Sequence, residues 1–254
     1  MALITGAATG IGECIARHFC KHGAKVIIAD IQDEVGQSVC KDLGLAVASF
    51  VHCDVAKESD VETAVNTAIS LHGKLDIMVN NAAVIEDAKP SIIDNKVADF
   101  ERVISINLTG VFLGTKHAAR VMIPAGKGSI ISLGSVCSSV GGVASHAYTS
   151  SKHAIIGLTK NVAAEFGRFG ILVNCLSPYF IATPLAMNFF KPDGDDGLRV
   201  YSNLKGVVLQ QQDVAEAALY LGCDESKYVS GHNLAVDGGF TTTNPSFGLF
   251  ASSQ

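Results

Sequence analysis

The chain has 254 residues, 48% hydrophobic and 17% charged, with 19 Lys and Arg against 24 Asp and Glu for a net charge of −5. That length builds one large domain or two small ones and buries about three quarters of the unfolded surface, and the low charged fraction excludes global disorder. No Lys/Arg cluster is present to neutralise a run of phosphates, so nucleic acid is not expected as a partner, and no apolar run approaches the ~20 residues of a membrane span, so neither is a membrane.

Taken in chain order, the first predicted strand covers 3–5, so close to the start that a few residues are expected to precede it; no basic stretch and no long apolar one suggests a secretory signal. Gly6-Ala7-Ala8-Thr9-Gly10-Ile11-Gly12 follows at once and opens a predicted helix over 11–22. Backbone N–H groups at a helix N-terminus carry partial positive charge, and glycines let phosphates approach the chain. Gly6, Thr9, Gly10, Ile11 and Gly12 are therefore candidates for holding a dinucleotide pyrophosphate. Alone, such a turn also fits an ordinary strand–helix connection. Asp30 adds weight: it ends the second predicted strand, 25–29, and lies 18 residues beyond Gly12, where a carboxylate accepts hydrogen bonds from ribose hydroxyls. The carboxylate repels a 2′-phosphate, and Ile31 follows where a basic residue would receive one. NAD is thus favoured over NADP, the alternative for Asp30 being a plain strand end.

Further strands are predicted at 46–52, 75–79, 129–133, 171–176 and 233–236, alternating with helical periods at 61–71, 97–122, 148–166 and 213–221. Strands apolar on both faces and separated by helices imply an α/β doubly wound Rossmann fold, a parallel sheet with helices on both faces. No linker, composition break or repeat divides the chain, which predicts a single domain over 1–254. Two stretches break the rhythm: 179–210, a candidate substrate loop rich in Phe, Leu and Met, and a tail over 241–254 with Phe247, Leu249 and Phe250. The seven cysteines are scattered without a C-x-x-C pair or a metal-ligand spacing. They are expected to be small core residues in a reducing compartment, the cytoplasm, with no metal site.

Tyr148-Thr149-Ser150-Ser151-Lys152 places a phenol and an ammonium four residues apart, on one face of a helix. A phenol of pKa ~10 needs about 4 kcal/mol of phenolate stabilisation to act as a base near neutrality, and a fixed cation supplies much of it. Ile155, Leu158, Val162 and Phe166 continue with core spacing and would fix the pair. By itself the pair also occurs as a solvated couple on any helix. Ser135 lies 13 residues earlier, just past a strand, where its hydroxyl would meet the same substrate oxygen; the serine-rich stretch 132–139 offers a plainer explanation.

In this order Thr5 to Gly12, Asp54-Val55, Asn80-Asn81-Ala82-Ala83, Asn107, Ser135, Tyr148 with Lys152, Asn174 and Ser177-Pro178 resemble the short-chain dehydrogenase/reductase family over practically the whole chain. The resemblance implies a seven-stranded parallel sheet ordered 3-2-1-4-5-6-7 and a homotetramer. It makes Tyr148 the acid/base, Lys152 the residue that binds the nicotinamide ribose and lowers the tyrosine pKa, and Ser135 the residue that orients the substrate. Asn107, whose Asn-Leu-Thr triplet otherwise reads as a glycosylation acceptor, would hold a helix distortion and the water that links Lys152 to solvent. Asp54 and Val55 would hold the adenine, Asn80 would brace the central sheet, and Ile181 and Thr183 would meet the carboxamide. Asn81, Ala82 and Pro178 complete the cofactor contacts. Two departures stand out: Pro178 is followed by Tyr179 where the family mostly has glycine, and Gly134 replaces a frequent serine.

His52 to Val55, Lys116 to Pro124, Asn174 to Tyr179 and Asp224 to Gly231 are similar to a plant specialised-metabolism branch whose members oxidise secoisolariciresinol, xanthoxin, borneol or isopiperitenol. The expectation is NAD-dependent oxidation of a hydrophobic cyclic secondary alcohol to a ketone. The pocket would be lined from 84–90, 136–146 and 179–190, all poor in charge. Phe180, Met187, Phe189 and Phe190 offer apolar wall without a carboxylate anchor, which favours a monoterpenol such as borneol, with a lignan diol next. A non-catalytic NAD-binding regulator is the reading from another class.

Overall fold

The computed structural model describes residues 1–87, 89, 91–190, 204 and 206–242. Seven strands are present: β1 (Ala2–Thr5), β2 (Val26–Asp30), β3 (Ala48–His52), β4 (Ile77–Asn80), β5 (Gly128–Leu133), β6 (Ile171–Pro178) and β7 (Asn233–Val236). They form one sheet in the order β3-β2-β1-β4-β5-β6-β7, every pair parallel. The helices are α1 (Gly10–Lys21), α2 (Asp33–Leu43), α3 (Glu58–His72), α4 (Val97–Ile104), α5 (Gly110–Ala125), α6 (His146–Phe166), α7 (Pro184–Phe190) and α8 (Gln211–Gly222).

Strand alternation sorts the core into two layers, because successive side chains leave a strand on opposite faces. Leu3, Ile27, Met78 and Ile130 point to the side covered by α3, α5 and α6, where Val61, Val65, Met122, Val162 and Phe166 meet them. Ile4, Ile28, Val79 and Ile131 point to the other side, against Ile15 and Phe19 of α1 and Val214, Ala218 and Leu221 of α8. Both faces are therefore dry, which is why these strands are continuous apolar runs.

Three elements differ from the sequence expectation. The helix predicted over 97–122 is divided by a π-helical turn, Ser105–Thr109, between α4 and α5. Helix α2 was not anticipated, since Val39 and Cys40 are its only buried apolar side chains and Val35 stays exposed. Part of the expected loop 179–210 is helical, as α7; residues 191–203 and 205, like the tail positions Phe247, Leu249 and Phe250, lie outside the described residues.

The strand order reverses between β1 and β4, and the loops leaving their carboxyl ends diverge there, which opens a crevice. Thr5 fastens that edge: its Oγ1 accepts from the backbone N of Asn81 and Ala82 at 3.1 and 3.2 Å.

Candidate active site

A cleft of about 690 Å³ crosses the carboxyl ends of the strands, from Asp30 at one end to Phe189 at the other. Gly6, Thr9, Gly10, Ile11, Asp30, Ile31, Asp54, Val55, Asn81 and Ala82 line its first half, and Ser135, Tyr148, Lys152, Pro178, Ile181 and Thr183 its second.

At the first end the chain turns from β1 into α1 with Gly6 and Gly10 both at φ +63°, a conformation that L side chains rarely adopt. A side chain on Gly6 would also strike Ala82 Cα at 2.6 Å. The first-turn N–H groups of α1 have no intrahelical acceptor, and the N-cap residue Thr9 makes no side-chain bond to them. They therefore face the cleft as donors. Gly12 does not line the cleft; it is buried, and a Cβ there would collide with Ala7 Cα at 2.9 Å as well as with the Asn81 amide. Asp30 is buried at the end of β2, its Oδ2 accepting from Ala8 N at 2.9 Å and its Oδ1 from Gln32 N at 3.1 Å. A carboxylate has about four acceptor sites, so lone pairs remain for ribose hydroxyls. Among the described residues that line the cleft, the only Lys or Arg is Lys152. A helix N-terminus and a carboxylate beyond it fit a dinucleotide.

Asp54 and Val55 follow β3. Asp54 Oδ1 accepts from Ala56 N at 3.1 Å, and Val55 is buried against Gly110, where any Cβ would meet it at 2.9 Å. Cys53 beside them is buried, which pushes its thiol up to about 12 and makes it an inert wall group. Asn80 Nδ2 spans to Thr115 Oγ1 at 3.3 Å and Ser132 Oγ at 3.4 Å, tying β4 to α5 and β5.

The second end is built on α6. Lys152 is 2% exposed, and its Nζ donates to Leu133 O, at the end of β5, at 2.6 Å and lies 5.3 Å from the centre of the Tyr148 ring. Burial pushes the Lys152 ammonium down to about 8, opposed in part by the neighbouring Cys175 and Cys137. Burial also raises the Tyr148 phenol above its ordinary value, Cys137 adds to this, and the Ser135 hydroxyl pulls it back. Ser135 begins the turn after β5, with its Oγ accepting from Cys137 N at 3.2 Å. Asn107, fully buried in the π-helical turn, is enclosed by bonds: Oδ1 accepts from Val84 N at 2.8 Å, and Nδ2 donates to Val84 O at 2.8 Å and Ser151 Oγ at 3.3 Å. With both atoms of its amide engaged and no exposed surface, the Asn107 side chain in this fold leaves no room for a glycan at the apparent glycosylation triplet.

Of the expected apolar wall, Phe180 and Phe189 line the cleft, Met187 does not, and the side chain of Phe190 lies outside the described residues. Sequence reading missed Phe240, which enters the cleft after β7 and packs on Tyr179 with ring centres 4.6 Å apart. Only the sheet order brings residues 179 and 240 together, so no local signal announced the pair. Gly134, the departure noted in the sequence, is accounted for by space: a Cβ there would meet Cys175 Sγ at 2.7 Å and Ser138 Oγ at 3.0 Å. Among the described residues no group of His, Cys, Asp and Glu is placed to hold a metal, and no helix is long and apolar enough to cross a membrane.

A family model described as "Enoyl-(Acyl carrier protein) reductase" matches residues 6–241. The chain is 57% identical to "Borneol dehydrogenase, mitochondrial" of Lavandula x intermedia, covering 98% of this chain and 93% of that one. It is 53% identical to secoisolariciresinol dehydrogenase of Forsythia intermedia, over 98% of this chain and 92% of that one. Among solved structures, 3-ketoacyl-(acyl-carrier-protein) reductase from Brucella melitensis complexed with NADH superposes with a TM-score of 0.87 at 32% identity, over 94% of this chain and 97% of that one.

Proposed function

Because the chain belongs to the short-chain dehydrogenase/reductase family, as an alcohol dehydrogenase of that type, we propose that it oxidises a hydrophobic cyclic secondary alcohol to the ketone with NAD, its substrate being a monoterpenol such as borneol. The observation that carries this reading is the second half of the cleft, where Tyr148, Lys152 and Ser135 stand beside the apolar side chains Val143, Phe180, Leu185 and Phe189. Ionised Tyr148 takes the proton of the substrate hydroxyl, and Ser135 Oγ holds the oxygen. Lys152, fixed on Leu133 O, supports the phenolate by its charge and binds the nicotinamide ribose. Bound nicotinamide supplies the hydride acceptor. Gly6, Thr9, Gly10, Ile11 and Gly12 shape the pyrophosphate cradle and Asp30 and Ile31 the adenosine ribose site. Asp54 and Val55 take the adenine, with Asn81, Ala82, Pro178, Ile181 and Thr183 along the remaining length.

The choice of NAD over NADP is supported by Asp30 and by the absence of a Lys or Arg beside it among the described residues that line the cleft. The choice of a terpenoid alcohol rests on the apolar wall and on the 57% identity to a borneol dehydrogenase. Residues 1–254 are read as one domain. A homotetramer would cover Val97, Phe100 and Phe112, exposed on α4 and α5, and light scattering measures its mass. The cytoplasm is the proposed compartment, which cell fractionation tests directly.

The deciding assay follows NADH formation with borneol, isopiperitenol and secoisolariciresinol, with NAD and with NADP. Turnover of borneol with NAD is expected. Activity confined to the lignan would overturn the substrate class, and cofactor binding without oxidation of any alcohol would return the chain to a NAD-binding regulator.

A further inference from the structure

Glu86 belongs to the connection that leaves β4, two residues beyond Val84, and is only 7% exposed. It does not line the catalytic cleft; it borders a separate polar cavity of about 250 Å³, together with Lys96, Asp99 and Arg102 of the α4 region. Its Oε1 accepts from Ala147 N at 2.9 Å, across 61 residues of sequence, and its Oε2 has no hydrogen-bond partner among the described residues. Ala147 is the second residue of α6, the helix that carries Tyr148 and Lys152.

A helix start of this kind is ordinarily satisfied by the hydroxyl of its own N-cap residue. That residue is Ser145, yet its buried Oγ has no hydrogen-bond partner among the described residues and makes no cap bond. The acceptor comes from Glu86 instead, a carboxylate at the positive end of the helix dipole. A second tie lies one turn on, where Asn107 Nδ2 donates to Ser151 Oγ while the same side chain grips both backbone groups of Val84. The two ties hold α6 at 147 and 151, and each is followed at once by a functional residue, Tyr148 and Lys152.

We propose that Glu86 is a positioning residue: it caps the catalytic helix from outside and, with Asn107, sets where the Tyr148 ring stands relative to Ser135. The proposal rests on Tyr148 being the base, so its test includes a measurement that does not depend on turnover. Amide exchange at Ala147 should accelerate in Glu86→Ala and stay slow in Glu86→Gln, which keeps an acceptor. In alcohol oxidation Glu86→Ala should lose roughly ten- to hundredfold in kcat, as expected for a misplaced reacting group, while KM for NAD stays within about twofold of wild type. Glu86→Gln should recover most of that loss, which a generally loosened fold would not allow. If Glu86→Ala does not fold, Glu86→Asp, one methylene shorter, takes its place in every comparison. Unchanged exchange at Ala147 in the displaced variant, or equal kcat losses in the Ala and Gln variants, would overturn the assignment. Turnover surviving Tyr148→Phe with Ala147 still protected would instead sink the reading of Tyr148 as the base.

Discussion

Asp30 shows how much a single carboxylate decides. Its bonds to Ala8 N and Gln32 N fix it in the cleft lining, so under the proposed NAD reading replacing it removes both a ribose acceptor and the repulsion of a 2′-phosphate. Asp30→Ala is expected to raise KM for NAD about tenfold or more, as for a lost hydrogen bond to a charged group, and to narrow the preference over NADP; an unchanged NAD/NADP ratio in initial-rate assays would contradict this. Tyr148 and Lys152 are shifted in the senses that burial dictates, the phenol up and the ammonium down to about 8. Both shifts disfavour the charged forms, and the proposed base is Tyr148 once it has lost its proton. Alcohol oxidation should therefore climb with pH through that step. Lys152→Ala removes the cation proposed to favour the phenolate and should move the limb of kcat/KM to higher pH, where an unmoved or lowered limb would count against the pairing. Such residues were legible because their chemistry needs particular types at fixed spacing. Glu86 was not, because a lone glutamate after a strand looks like solvated surface until the helix start that it caps is seen.

At the scale of elements, the helical pattern over 97–122 reads as one period in the sequence, because a single inserted residue barely disturbs the spacing of apolar positions. The structure absorbs that insertion as the π-helical turn Ser105–Thr109, and such turns cluster where a side chain must be re-aimed. The side chain re-aimed is Asn107. Asn107→Ala would strand the N–H and C=O of Val84, and unsatisfied backbone groups at about 1–3 kcal/mol each give an expected loss of about 2–6 kcal/mol in chemical denaturation. A loss under 1 kcal/mol would mean that water replaces the amide there. Helix α2 escaped notice for the opposite reason: it lies on the sheet through few apolar contacts, with Gly36 pressed against the ring of Phe50, and close packing without apolar side chains leaves little trace in a sequence.

For the molecule as a whole, the alternation of buried strands and helices was enough to give the doubly wound class, while the strand order came from resemblance rather than from periodicity. Two dry layers hold the site from below, so truncation in either should be costly far from the cleft. Ile28, fully buried in the layer beneath α1, is the cleanest probe: Ile28→Ala should cost about 2–5 kcal/mol in urea denaturation while leaving KM for the alcohol unchanged in the fraction that stays folded. A raised KM would show that the layers and the cleft are less separable than the packing implies. The apolar wall was legible only in part, since Phe240 reaches Tyr179 from the far end of the chain. The most direct test of the account joins two measurements on Tyr148→Phe: NADH formation from the alcohol and the affinity for NAD by fluorescence titration. Turnover lost with NAD affinity nearly intact is the expected result, and turnover retained would contradict it.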